Sequence, residues 1–302
     1  MLVCENAIMI SEVQARSWLT SVASGKPRIE SNKDYLFLRE AMGVTAGFNR
    51  GPNFEHANFS SEITLSVLSA LELTGIYALG DVMEGCSWSI IKSIADLEED
   101  FLASAKDSRT IPAPSWAYYL IKRALTSEVL QACKIYLGTD FPYLYTPVIL
   151  ASSHEQKLST MTSEEKSDRA FAFHRDIDNV RWLKLFISLT HCEGGEHHYC
   201  IGSHYTFDRS VRSDYLNRVS SVSSFKLPFD AKTPYETHIY TGRFSDQSIE
   251  ELFRSDSLHT IHPLKGHAWL EDTYGLHKGG PPTVGTRLVL STLIGLLDIR
   301  YK

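Results

Sequence analysis

Positive charge is in short supply in this chain. Lysine and arginine together number 30 against 36 aspartates and glutamates, a net charge of −6. A surface of that sign repels a polyanion, so no nucleic acid partner is expected. Cysteine is scarce as well. Cys4, Cys86, Cys133, Cys192 and Cys200 are odd in number and scattered, and no CxxC occurs. That argues against a disulfide framework and for free thiols in a reducing compartment. No apolar run reaches the roughly 20 residues of a membrane-spanning helix, so no membrane partner is expected. The opening Met1-Leu2-Val3-Cys4-Glu5-Asn6 lacks a basic stretch, so no secretory signal is expected and the cytoplasm is the expected location. Internal repeats and low-complexity tracts are also missing. What remains is an ordinary globular composition, 43% hydrophobic and 22% charged, in 302 residues. A chain of that size buries a sizeable core without cross-links.

Helical spacing dominates the first half. Ser11 is placed to cap a helix over 11–23, which Gly25-Lys26-Pro27 would stop. Residues 34–48 are apolar and ambiguous, and Gly51-Pro52-Asn53 reads as a turn. Ile63, Val67, Leu68 and Leu71 predict a helix over 61–74. Ile90, Ile91, Ile94, Leu97 and Phe101 predict another over 88–105, and two more follow over 115–125 and 127–137. Then the period changes to two. A strand is expected over 143–153, with Pro147 spoiling its start. Residues 154–169 are polar and weakly periodic, a connection or a lid. Strands are expected over 170–177, 181–190, 199–201, 258–263, 266–272 and 287–294, with a mixed insertion over about 205–257. The reading is one domain over 1–302, mainly β with helical decoration: 1–138 largely helical, 139–302 the β core.

The chemistry concentrates in the second half. In Phe173-His174-Arg175-Asp176 an imidazole and a carboxylate stand two apart, so on a strand they point the same way. A second imidazole from Thr273-Tyr274-Gly275-Leu276-His277 would complete two histidines and one carboxylate on a single face of a metal. That facial set suits non-haem Fe(II) and leaves positions open for a co-substrate and O₂. Ten residues on, Arg287 offers a guanidinium that can hold a carboxylate through two parallel hydrogen bonds. Triad plus clamp suggests an oxygenase that uses a 2-oxo acid. Ser291 shares a face with Arg287 by alternation and is a weaker candidate for the same ligand. Lys184 sits among apolar residues of its strand, where it would pair with a co-substrate carboxylate or reach out to the rim. Glu196, His197 and His198 are a decoy, since neighbours on a strand face opposite ways. They read as exposed loop residues or pocket wall. Gly202-Ser203-His204 reads as an architectural turn, and Asp272 and Thr273 as residues that set the His277 loop. His191, His262 and His267 are assigned structural roles.

In order along the chain, these segments resemble the phytanoyl-CoA dioxygenase family of Fe(II)/2-oxoglutarate-dependent oxygenases. The likeness rests on His174-Arg175-Asp176, the apolar strand 182–190, Gly194-Gly195, Cys200-Ile201-Gly202-Ser203-His204, Asp272-Thr273-Tyr274-Gly275-Leu276-His277 and Gly285-Thr286-Arg287-Leu288. It covers roughly the C-terminal half. The resemblance implies a double-stranded β-helix core (a jelly roll, cupin-like) with iron held by His174, Asp176 and His277, and 2-oxoglutarate held by Arg287. It implies oxidation of a small-molecule substrate, most often hydroxylation, in a monomer or homodimer. Desaturation, epoxidation and ring formation use the same chemistry and stay open. A carboxylate at Asp176 disfavours halogenation. Two readings from other classes also stand: a metal-binding jelly roll without oxygenase activity, acting as sensor or scaffold, and a hydrolytic zinc enzyme.

Overall fold

The structure, a computed structural model, describes residues 61–104, 109–137, 142–153, 171–174, 176, 182–204, 246, 249–250 and 257–295. The expected elements over 11–23, 34–48, 51–53 and 154–169, and nearly all of the insertion over 205–257, lie outside the described residues.

The helices form where apolar side chains recur every three or four residues. In α1 (Glu62–Leu73) Thr64, Val67, Leu68 and Leu71 are buried, one stripe of the cylinder. The long α2 (Trp88–Ser104) turns Ile94 and Phe101 inward. Pro114 precedes α3 (Ser115–Ala124), which buries Ala117, Leu120, Ile121 and Ala124. Next, α4 (Ser127–Leu137) buries Val129, Ala132, Cys133, Tyr136 and Leu137. All four match the sequence reading to within a residue or two.

The strands are β1 (Ile76–Asp81), β2 (Arg109–Pro112), β3 (Tyr143–Leu144), β4 (Val148–Ser153), β5 (Trp182–Ser188) and β6 (Glu193–Gly194). They continue with β7 (His197–Cys200), β8 (Leu258–Ile261), β9 (His267–Glu271), β10 (His277–Lys278), β11 (Pro282–Val284) and β12 (Thr286–Gly295). A large antiparallel sheet runs β1-β9-β5-β12-β4-β2, with β3 beside the far end of β12. A second sheet runs β10-β7-β8, and His174 extends it by bridging to His277. From β4 onward the chain crosses between the two sheets repeatedly. It passes from β4 to His174, back to β5, over to β7 and β8, back to β9, over to β10 and back to β12. Two antiparallel sheets exchanged in this way are a jelly roll, the expected core.

Alternation sorts the large sheet into two faces. Leu183, Leu185, Ile187, Ala268, Leu270, Leu288, Leu290, Ile149 and Ala151 join one apolar cluster with the helices. The opposite face turns toward the second sheet. It carries Phe186, Trp269 and Val289, packed with Tyr199 of β7. Ser152, Lys184, Glu271, Arg287 and Ser291 share that inner face, and all but Lys184 are buried. The helices therefore back one side of the sheet and leave its other side to build the site.

Some expectations needed correction. The strand expected over 143–153 is two pieces, because Pro147 has no N–H for the ladder; its carbonyl accepts instead from Ala113 N at 3.3 Å. The strand expected over 170–177 is, among the described residues, an isolated bridge at His174. β1 and β2 were not foreseen. They lie in the part read as helical and form the two edges of the large sheet. β2 is only four residues and ends in Pro112, and β1 carries an irregularity between Ala78 and Gly80, so neither shows a clear period. No helix among the described residues is long and apolar enough to cross a membrane.

One buried hydrogen bond ties a helix to the loop before His277: Tyr136 donates from its hydroxyl to Asp272 Oδ2 at 2.6 Å. Asp272 Oδ1 accepts from Tyr274 N at 3.0 Å, shaping that loop. Tyr136→Phe should cost about 1–3 kcal/mol by urea denaturation, since it strips a buried acceptor of its donor without changing shape. A loss below roughly 0.5 kcal/mol would mean the contact contributes nothing net.

Candidate functional site

Two short segments, one carrying His174 and Asp176 and the other Thr273 and His277, converge beside the inner face. The backbone N–H of His174 donates to His277 O at 2.9 Å, and His277 N donates back to His174 O at 2.9 Å. Asp176 N donates to Thr273 O at 2.9 Å. Residues about a hundred apart in sequence are thus laced together before any side chain is considered. The result is that His174, Asp176 and His277 each offer a ligand atom, all within 4.8 Å of one another. Among the described residues no other His, Cys, Asp or Glu set of three or more meets that criterion.

The donor chemistry fits a cation. His174 Nδ1 lies 2.9 Å from Ala172 O, and His277 Nδ1 lies 2.9 Å from Gly275 O. A carbonyl can only accept, so each Nδ1 carries a proton and Nε2 is the nitrogen left to face a metal. Both rings use the carbonyl two residues before them, and both Nε2 atoms face Asp176. Nε2 of His174 is 3.6 Å from Asp176 Oδ1, and Nε2 of His277 is 3.7 Å from Oδ2. Burial lowers the pKa of His277, although Asp176 and Glu271 oppose this, so its ring is held in the neutral form that a ligand needs. Burial alone would raise the Asp176 carboxyl. Lys184, then His277 and His174, more than reverse this and hold it well below the usual carboxylate range.

Lys184 meets the triad itself. Its Nζ donates to Asp176 Oδ2 at 2.6 Å. Arg287 is buried, yet its Nε has no hydrogen-bond partner, and no ion pair to it occurs among the described residues. A buried guanidinium without an anion is costly, and burial pushes its pKa down. Two glycines make room around it. A Cβ at Gly195 would stand 3.0 Å from Arg287 Cδ, and one at Gly279 would stand 3.4 Å from Nη2. Gly195 also has φ +70°, which side-chain-bearing residues rarely adopt. Opposite Arg287 across the ladder is Ser152, whose buried hydroxyl also lacks a partner. An anion clasped by Arg287 and Ser152 would satisfy both. Ser291 is buried on the same face but lies two alternations further along β12, about 13 Å away.

Sequence reasoning passed over Ser152 and Glu271 and undervalued His197. His197 is buried, not an exposed loop residue, because it is the first inward position of β7. Its ring lies 5.3 Å from Phe186, 5.4 Å from Trp269 and 5.7 Å from His277, centroid to centroid. His197 Nε2 meets Glu271 Oε2 at 2.8 Å, and Trp269 Nε1 donates to the same oxygen at 3.2 Å. Glu271 has no solvent exposure and its Oε1 has no partner. A signal existed: a Glu closing the apolar run Ala268-Trp269-Leu270, two residues from Trp269, must turn inward with it. His198 is half-buried on the other face of β7 and bonds Thr260 Oγ1 at 3.0 Å. His191 and His262 are exposed. Ser203, as expected, is architectural. Its hydroxyl donates to Cys200 O at 2.6 Å and accepts from Leu276 N at 2.7 Å, next to His277.

No family model matches the sequence, and no curated protein does. Solved structures with a likeness in fold include HygX from Streptomyces hygroscopicus with nickel and 2-oxoglutarate bound. It is 15% identical, with 77% of this chain and 87% of that one covered at a TM-score of 0.44. The epimerase SnoN, in complex with Fe3+, alpha ketoglutarate and nogalamycin RO, is 12% identical over 77% of this chain and 83% of that one, at 0.42. A prolyl hydroxylase from Trichoplax adhaerens is 8% identical over 82% and 94%, at 0.43. Likenesses at this level assign neither a family nor an activity to the chain.

Burial pushes the Glu271 carboxyl up to about 7. A carboxyl whose folded pKa is raised binds its proton more tightly in the native state. Its contribution is therefore full below the unfolded value and is lost as pH rises through the folded one. Glu271→Gln keeps the shape and loses the titration. On metal-free protein, its stability relative to wild type should rise between pH 5 and pH 8 by on the order of 3 kcal/mol. A pH-independent difference in urea titrations would show that Glu271 is not held neutral.

Proposed function

We propose that the chain is an Fe(II)/2-oxoglutarate-dependent dioxygenase of the phytanoyl-CoA dioxygenase type, one catalytic domain over 1–302. The observation that carries this reading is the conjunction of two imidazoles and one carboxylate around a common point, with a buried Arg287 on the same inner face that makes no ion pair among the described residues. His174, Asp176 and His277 would hold iron on one side and leave the other side open. Arg287, with Ser152 opposite, would hold the distal carboxylate of 2-oxoglutarate in the space that Gly195 and Gly279 keep clear. Bound iron with 2-oxoglutarate supplies the oxidising chemistry, in which O₂ and 2-oxoglutarate are consumed to give succinate, CO₂ and, for hydroxylation, the substrate with one oxygen atom inserted.

The protein's own residues then have distinct tasks. The Nδ1 contacts to Ala172 and Gly275 fix both rings, so that each Nε2 points at the metal without rotating. Phe186, Trp269, Tyr199 and Val289 wall the inner face with apolar surface, which excludes water from the reacting centre. The substrate is a small organic molecule, hydroxylation is the favoured outcome, and the expected location is the cytoplasm, where the described cysteines would stay as the free thiols they are.

His174→Ala and Asp176→Asn should abolish Fe(II) binding while circular dichroism keeps the wild-type spectrum. Unchanged iron stoichiometry in both would sink the assignment. Arg287→Gln should weaken 2-oxoglutarate by about 2–5 kcal/mol while changing iron affinity little. Calorimetric co-substrate affinity within about threefold of wild type would mean that another residue is the clamp.

A further inference from the structure

Lys184 occupies a position that works against a metal. It belongs to the inward set of β5, and its ammonium lies 2.6 Å from Asp176 Oδ2 and 5.5 Å from the centre of the Phe186 ring. Directly across the ladder is Glu271. A cation bound between His174, Asp176 and His277 would meet a second positive charge on its only carboxylate. It would also find one of the two carboxylate oxygens already taken. Oδ1 remains, on the side of His174 Nε2.

The local charge sum follows. Asp176 and Lys184 cancel. Arg287 adds one positive charge, faced by Glu196 and Glu271 without an ion pair among the described residues. Neither Glu196 nor Glu271 is a member of the triad, so neither replaces the charge that Asp176 gives up to Lys184. A dication would thus find its one carboxylate ligand already neutralised by Lys184, inside a low-dielectric interior where such a deficit is large. A dianion brings what is missing.

We infer that Lys184 withholds the charge and one oxygen of Asp176 from the cation, so that tight metal binding requires the dianionic co-substrate. Lys184 is in this sense a positioning residue that couples the two binding events, and coupling of that kind is reciprocal. The inference rests on the oxygenase reading of the same site.

The test uses the metal-free full chain and Mn(II) as a redox-inert probe, titrated with and without 2-oxoglutarate under argon at slightly alkaline pH. Lys184→Met and Lys184→Gln remove the charge; Lys184→Gln keeps a donor toward Oδ2 and so guards the fold. Both should bind Mn(II) alone at least about tenfold tighter than wild type. The tightening produced by 2-oxoglutarate should shrink in them by a similar factor. Lys184→Arg, which keeps the charge, should behave as wild type. In the wild type itself, Mn(II) alone should leave the melting temperature nearly unchanged at a concentration where Mn(II) with 2-oxoglutarate raises it. Equal or weaker Mn(II) affinity in a folded neutral variant overturns the inference. So does Lys184→Arg matching the neutral variants, or a wild-type melting shift with Mn(II) alone as large as with both. Wild type that takes up no Mn(II) even with 2-oxoglutarate overturns the oxygenase reading itself.

Discussion

Two backbone hydrogen bonds between His174 and His277, each 2.9 Å long, hold the site together. They join the segment that follows β4 to the two-residue strand β10, and a third bond, from Asp176 N to Thr273 O, extends the lacing by two residues. Among the described residues neither segment has a long ladder of its own. Each is stable in its place because the other supplies its partners, and because β10 also pairs with β7 through Tyr199 and His198. The rings then need no further alignment, since each Nδ1 meets a carbonyl of its own chain segment.

Around this lacing lie four ionisable side chains. Asp176, Lys184, Glu271 and Arg287 all lie on the inner side, where unpaired ions are costly. The fold manages them in different ways. Asp176 and Lys184 pair directly. Glu271 shares its Oε2 between His197 and Trp269. Arg287 is left without an ion-pair partner among the described residues, in a space that glycines keep open. The outer side of the same sheet carries none of this tension, being filled by Leu, Ile and Ala against the helices. A stable apolar layer on one face of β5, β9 and β12 allows a strained polar layer on the other.

Much of this was readable from the chain. The four described helices follow from a 3.6-residue period, and β5, β9 and β12 from runs too apolar and too short to be anything else. The spacing of His174 and Asp176, and the face shared by Arg287 and Ser291, are consequences of the two-residue period of a strand. The edge strands β1 and β2 were not legible, because a short edge strand carries little pattern and takes its conformation from its neighbour. His197 was misjudged because a run of polar residues after two glycines has the composition of a loop. Its burial depends on Trp269 and Glu271, which stand more than seventy positions away.

The sequence by itself determined the residue types for a metal site and an anion clamp, their order, and the faces on which they could fall, because these depend on local geometry alone. Only the tertiary structure decided who meets whom. Lys184 reaches Asp176 only because β5 and the His174 segment are set side by side. Ser152 became relevant to Arg287 only through the register of β4 on β12. Register and sheet-to-sheet contact are set by the packing of the whole core, which no local window of the chain contains.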